Sequence, residues 1–457
     1  MVAEAPSRRR YAVVGTGSRA GMYVKALATT HADVGTLVAW CEPNPVRMDY
    51  HDDALRAAGL PVPARYAPED FDGLLAGQRP DVVVVTSPDA THDRFATAAL
   101  DAGCDVVVEK PLTTTLEKAR AIADAAGRSA GDLVVTFNYR YSPRNEALRR
   151  VIASGEIGTV TSVHFEWALD TVHGADYFRR WHRDKSISGG LLVHKSSHHF
   201  DLVNWWLADV PSVVHAAGAL RFYGDRNAAE RGITGRPARS TGAPGTAGDP
   251  FALDLAADED LRRLYLDGEK HDGYVRDQDV FSPGITIEDN AGLLVVYESG
   301  AILTYSLNAH SPWEGYRVSV NGTAGRAELD VVERGFLLPV SAAGVVGRPA
   351  VDPGVSPDDP AVGGRDNPRP AGERLLVQRH WDLAREVSIP KGDGAHGGGD
   401  SQLLDDVFRP GRAPDPLGRR AGYRDGLRSL VVGLAANQAL EHGTAVDVGS
   451  FGLPLAR

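Results

Sequence analysis

The stretch RYAVVGTGSRAGMYVKALATT, close to the N-terminus, constrains this chain more than any other segment. A short apolar run meets a glycine turn, and a helix-patterned segment comes directly after it. Gly15, Gly17 and Ala20 stand in G-x-G-x-x-A spacing. In such a unit the first glycine permits a tight turn and the second lets backbone approach a pyrophosphate. The small third residue lets helix and strand pack closely. The free N–H groups and dipole of the helix N-terminus would hold the phosphates. Glycine turns between strands and helices are common, so the reading depends on the segments downstream of the turn.

Those segments keep the alternation of strand and helix. GTLVAWCE reads as a second strand ending in Glu42, 27 positions after Gly15. A carboxylate there accepts hydrogen bonds from ribose hydroxyls and repels a 2′-phosphate, which favours NAD over NADP, while nearby Arg47 softens that preference. DVVVVTSP, CDVVVEKP and DLVVTFNYR are apolar, β-branched runs of the kind found in strands covered on both faces. HDRFATAALDAG and TLEKARAIADAAGRSAG between them read as helices. Open sheets of this kind bind ligands at the carboxyl ends of their strands. Those ends carry Thr86, Ser87, Pro88, Glu109, Lys110, Asn138 and Arg140, with Asp89 and His92 just beyond. Without Arg140, and with Gly15, Thr16, Gly17, Ser18, Arg19 and Glu42, they form the expected NAD-binding set. The expected architecture is α/β followed by α+β: a Rossmann domain over 1–140, then a domain over 141–457 built on an open, mostly antiparallel sheet. An insertion covers about 222–285, and a C-terminal helix over about 422–441 packs back on the core.

Bulk properties narrow the function classes. A formal net charge of −11 over 457 residues argues against nucleic acid and anionic membrane surfaces as partners. No run of 18 apolar residues is present, so no membrane span is expected. The two cysteines, Cys41 and Cys104, read as buried free thiols. The N-terminal arginine run lacks an apolar signal segment, so a cytoplasmic location is expected.

The densest chemistry lies in GGLLVHKSSHHFDLVNWW, where eight residues hold three histidines, a lysine and an aspartate. Read as one helix after a glycine turn, it places His194, His198 and Asp201 at i, i+4 and i+7 on a single face. Histidines four apart also suit zinc, but Lys195 follows the first where a metalloprotease motif has glutamate, so no metal is expected. Upstream, VHGADYFRRWHRDK clusters His173, Tyr177, Trp181 and Arg183. Each of these could also be an ordinary packing residue. Further on, His310, Trp313 and Glu314 read as a loop whose aromatic and carboxylate suit a sugar. His396 and Asp400 flank three glycines before a helix.

The motifs GTGSRA, TSPDATH, EKPL and NYRYSP, in this order and with the histidine stretch after them, resemble the glucose–fructose oxidoreductase / inositol dehydrogenase (Gfo/Idh/MocA) family. The resemblance implies that Lys110 points at substrate and nicotinamide, on backbone restrained by Pro111. The family pattern D-x-G-x-H-x-x-D is matched by His198 and Asp201, whereas His194 stands in place of its first Asp and Ser196 in place of its Gly. The expected acid/base set is therefore His198 and Lys110, with His194 and Tyr177 as further candidates. Lys195, Asp201, His173, His396 and Trp313 are expected at the substrate, and Trp181 and Arg183 at the cofactor. The implied activity is NAD-dependent hydride transfer at a secondary hydroxyl of a sugar, glycoside or cyclitol, with tightly held NAD in a homodimer or homotetramer. Two alternatives are an NAD-dependent glycosidase that oxidises, eliminates, adds water and returns the hydride, and a non-catalytic NAD(H) sensor.

Overall fold

Val82–Val85, four consecutive valines, shows how the first half is built. Alternate side chains enter two different cores: Val82 and Val84 join the helix Ala20–Ala28, while Val83 and Val85 join the helices Phe71–Gln78 and His92–Asp101. A strand with apolar residues at every position is stable only where both faces are covered. A computed structural model describes residues 8–246, 248–340, 344–346, 368–392, 395–411 and 414–456. In it the valine strand is the centre of a seven-stranded sheet. The order is Ala421–Gly422, Leu133–Val135, Asp105–Val108, Val82–Val85, Arg9–Val14, Gly35–Cys41, Ala64–Tyr66. All pairs are parallel except the first, which the chain makes by returning from its C-terminal end. Cys41 and Cys104 are buried and free.

The second sheet has nine strands and carries the rest of the core. Its middle is Gly325–Arg334, Glu314–Gly322, Val160–Asp170, Ile302–Ser311 and Asn290–Tyr297, antiparallel throughout except where Val160–Asp170 meets Ile302–Ser311. Burial alternates along Asn290–Tyr297 and Ile302–Ser311, the mark of a sheet covered on one face. The covering helices are Pro143–Ala153, Ser197–Leu207 and Tyr423–His442. The last also reaches Leu116–Arg128 of the first half and so joins the two sheets.

Two expectations are revised, and the insertion acquires a structure. His310 and Glu314 belong to strands, with only two residues between Ile302–Ser311 and Glu314–Gly322. The insertion has a core of its own, built from Leu253, Leu255, Leu261, Leu264 and Tyr265. Arginine–carboxylate pairs hold it: Arg236 with Asp249 and Asp279, and Arg239 with Glu269 and Asp277. The histidine stretch is not one helix, because the turn at Lys195 and Ser196 separates Leu191–His194 from Ser197–Leu207.

The break removes His194 from the face that Asp201 occupies. Asp201 is buried and accepts two hydrogen bonds from the Arg140 guanidinium, at 2.8 and 2.6 Å. It takes no part in the wall of the cavity at the strand ends. Its role is to fasten the helix Ser197–Leu207 to the end of the first sheet, which corrects its assignment to substrate. Removing one partner of a buried ion pair leaves the other uncompensated, at a cost of about 3–5 kcal/mol. Asp201→Ala is therefore expected to lower the urea midpoint by that equivalent, and an unchanged midpoint would refute the structural role.

Candidate active site

The parallel strands end at a cavity of about 690 Å³. The segment 173–198 of the second half and Tyr265, Asp272 and Tyr274 of the insertion complete its walls. Gly15 has φ +82°, and a Cβ there would lie 2.6 Å from backbone atoms of Ser87, so only glycine lets the turn approach the neighbouring strand end. Gly17, Ser18 and Arg19 face the cavity, whereas Thr16 lies beneath it and its N–H donates to Glu42 Oε2 at 2.8 Å. Thr16 Oγ1 and Asn138 Oδ1 are buried with no hydrogen-bond partner among the described residues. A glycine turn open to a cavity, a carboxylate at the second strand end and an unpaired hydroxyl on the turn itself fit a dinucleotide.

The insertion supplies groups for which the sequence held no signal. Tyr265 Oη accepts a hydrogen bond from the Ser18 N–H at 3.1 Å, on the turn itself. Arg47 donates to Glu42 Oε1 at 3.1 Å, pairs with Asp272 at 2.6 Å and donates to the Leu264 carbonyl at 3.3 Å. Its charge is therefore matched by two carboxylates, which leaves the region around Glu42 unfavourable for a 2′-phosphate.

At the other end of the cavity, Lys110 follows the strand Asp105–Val108, and its peptide bond to Pro111 is cis. Its ammonium donates to the His194 carbonyl at 3.1 Å and stands 3.3 Å from His194 Nε2. His194 Nδ1 lies 2.5 Å from Asp89 Oδ2. Asp89, His194 and Lys110 thus form one chain, buried at Asp89 and His194, that crosses from the first half to the second and back. Burial draws Lys110 down to about 8, Asp89 opposing and Lys195 reinforcing the shift. Burial also pushes the His194 imidazole well below its ordinary value, and Lys110 adds to the effect. Asp89 thus stands one imidazole beyond Lys110, and burial pushes its own carboxyl well above the ordinary value, with Lys110 opposing.

The remaining walls are aromatic and basic. His182 stacks on Trp181 with ring centroids 3.7 Å apart, and its edge contact with His194 is at 4.1 Å. His198 stacks on Tyr139 at 4.5 Å. The Lys195 ammonium lies 5.1 Å from the centre of the Trp167 ring. His173 and Tyr177, one turn apart on the helix His173–Arg179, are joined by a 3.0 Å hydrogen bond.

Most of the expected residues meet at this cavity. Thr16, Asp201, Arg183 and Trp313 do not line it. The Arg183 guanidinium donates instead to Gln278, Ser282 and the carbonyls of Asp279 and Pro283, and so pins the end of the insertion. Arg180, three positions earlier, is the arginine of that segment at the wall. Trp313 is buried between Arg317 and Arg369, whose guanidinium carbons lie 5.5 and 4.5 Å from its ring centre. The side chain of His396 lies outside the described residues. His92 lines the cavity but sits between the carbonyls of Ser87 and Pro111, at 2.9 Å from each, as an anchor for the loop. Asp176, Tyr274 and Asp400 also reach the wall. Among the described residues no three His, Cys, Asp or Glu side chains converge as a metal site, and no helix is long and apolar enough to cross a membrane.

Comparison with known proteins agrees with this geometry. Residues 9–137 match the oxidoreductase-family NAD-binding Rossmann fold, and residues 149–448 match the C-terminal alpha/beta domain of the same family. The oxidoreductase YteT of Bacillus subtilis (strain 168) is 34% identical over 379 residues, 80% of this chain and 81% of that protein. Inositol 2-dehydrogenase of Rubrobacter xylanophilus is 30% identical over 217 residues, which span 45% of this chain and 54% of the relative. Among solved structures, the aldose–aldose oxidoreductase of Caulobacter crescentus shares the fold with a TM-score of 0.60 at 17% identity, covering 96% of this chain and 99% of that one. With both domain models matched in order around a glycine turn that opens on Lys110, the chain belongs to the Gfo/Idh/MocA family of NAD-dependent oxidoreductases.

Proposed function

We propose that the protein oxidises a secondary hydroxyl of a sugar, glycoside or cyclitol to the ketone and, in reverse, reduces the ketone. The observation that carries this reading is the Asp89–His194–Lys110 chain, placed in the same cavity as the glycine turn. Gly17 and Ser18 would hold the pyrophosphate, Glu42 the adenosine ribose, and residues near Lys110 the nicotinamide. NAD bound there supplies the acceptor and donor of hydride. Lys110, drawn down to about 8, takes the hydroxyl proton in its neutral form as the carbonyl forms, with His194 and Asp89 in the hydrogen-bonded chain behind it. Lys195, His198, His173 and Tyr177 present donors and acceptors for further hydroxyls. The names of two of the similar proteins, an inositol 2-dehydrogenase and an aldose–aldose oxidoreductase, support a polyhydroxylated substrate.

The test is proton NMR of sugars, glycosides and cyclitols incubated with enzyme and NAD, with NADH absorbance followed in parallel. A keto product with NADH supports the reading. Free sugar and aglycone without NADH would replace net oxidation by redox-neutral glycoside cleavage, a reading favoured by the second proton-carrying network at Tyr177. Turnover of no member of the panel, with NAD bound, would favour a sensor.

Lys110→Met is expected to lower kcat by about 10²–10⁴-fold, the usual contribution of a positioned acid/base. Lys110 is charged below about 8 and neutral above it. In the wild type, kcat/KM for oxidation should accordingly rise with pH to a plateau above about 8, while reduction falls over the same range. A flat profile would remove Lys110 from the proton transfer. At the cofactor end, Asp272→Ala releases Arg47 from one of its two carboxylates. The ratio of kcat/KM with NADP to that with NAD should then rise about tenfold, equivalent to about 1.4 kcal/mol. An unchanged ratio would show that Arg47 does not set the preference.

A further inference from the structure

Three arginines converge on one carboxylate at the cavity wall. Asp176, on the helix His173–Arg179, is buried and lines the cavity. Arg276, from the insertion, donates to its two oxygens at 2.8 and 3.3 Å. Arg180 donates to it from Nη1 at 3.1 Å. Arg179 stands 3.9 Å away, with its other nitrogens on the Phe251 carbonyl. Among the described residues, Asp176 is the only carboxylate paired with any of the three. Arg179 and Arg276 are buried, and Arg180 faces the cavity. Buried charge is costly unless it is paired, so this wall is built to receive a group that brings negative charge.

The donors left over belong to the same side chains. A guanidinium carries five N–H donors. Among the described residues, Arg180 uses one of them in a hydrogen bond and Arg276 two, and Nε of each is buried with no partner. Tyr274, also at the wall, has a buried hydroxyl without a partner. A neighbour registers the excess of charge. Burial raises the Tyr265 phenol, yet Arg180 and Arg276 draw it below its ordinary value. Arg180 directly precedes Trp181 and His182, and the His182 ring meets that of His194, the partner of Lys110. Its field also reaches Asp89. The pyrophosphate has donors of its own in the N–H groups of the glycine turn, which leaves Arg180 for a group on the substrate. Two parallel N–H groups on one edge of a guanidinium match a carboxylate.

We propose that Arg180, backed by Arg276, binds a carboxylate carried by the substrate, and that the protein acts on acidic sugars, namely uronic acids and their glycosides. Arg180 is then a specificity-determining residue that holds the substrate and takes no part in moving hydride or proton. The assignment rests on the reading of the cavity as a sugar-oxidising site.

Full-length enzyme loaded with NADH, which cannot accept hydride from an alcohol, is titrated calorimetrically with methyl β-D-glucuronide and methyl α-D-galacturonide. Each is compared with its carboxamide, which has the same shape and no charge. The carboxylate is expected to bind about 10–100-fold more tightly, the worth of hydrogen bonds to a charged group. In Arg180→Gln the ratio should fall to about threefold or less. Arg180→Lys, which keeps the charge and loses the planar fork, should give a ratio between the two. The affinity of each variant for NAD is measured on the same preparations. Equal binding of carboxylate and carboxamide by the wild type overturns the proposal whether or not a variant folds, and so does binding of neither. An unchanged ratio in Arg180→Gln, with NAD held more weakly, overturns it in favour of the pyrophosphate as the anion. The same sugars and their neutral parents are assayed with NAD for NADH and keto product. A carboxylate advantage in binding without turnover keeps the anion site and removes the oxidoreductase reading for these sugars. Turnover of neutral sugars without that advantage keeps the oxidoreductase reading and overturns the anion site.

Discussion

An ammonium group withdrawn from water is the constraint on which this site depends. Lys110 is partly buried between the two halves of the molecule, and a charge drawn out of water persists only where partners compensate the lost hydration. The partners are His194, from the second half, and Asp89, from the loop after the central strand of the first. Neither half holds the whole set, so the relative placement of the sheets and the protonation of the lysine are one problem. The helix Tyr423–His442, packed against elements of both halves, and the return of Ala421–Gly422 to the first sheet serve the same placement.

The departure of this chain from its family's pattern is resolved in three dimensions. An imidazole at position 194 cannot act as a fixed anion. It instead links Lys110 to Asp89, which stands 2.5 Å from the distal nitrogen. The turn at Lys195 and Ser196 makes this geometry available, because a continuous helix would tie His194 to the face that Asp201 uses to grip Arg140. One stretch of sequence thus serves two ends, chemistry before the turn and fastening after it.

The insertion illustrates how charge orders a segment poor in apolar residues. Its small cluster of leucines could not hold some sixty residues in place, but bidentate arginine–carboxylate pairs are directional and strong when shielded from solvent. Arg236, Arg239 and Arg183 fix its course, and Arg47 and Ser18 join it to the cofactor end of the cavity. A composition rich in glycine, proline and arginine is therefore compatible here with an ordered wall.

The glycine turn, the β-branched strands and the residues at their carboxyl ends were legible in the sequence because they obey local rules: turn sterics, strand periodicity and the fixed direction of parallel strands. Lys110 and Glu42 could be placed at a ligand edge on those grounds, and the histidine stretch at the substrate through its resemblance to the family pattern. Partners set by contacts between distant segments could not. Glu314 and His173 are separated by 141 positions, and Tyr265 reaches Ser18 across 247. Asp201 and Arg183 carry the chemistry of a binding site, yet folding spends them on Arg140 and on the insertion. By itself the sequence determined a dinucleotide-binding sheet, its ligand edge and the lysine standing there. Only the tertiary structure decided which buried groups share that lysine's proton, since burial and partnership arise when the two sheets close on each other.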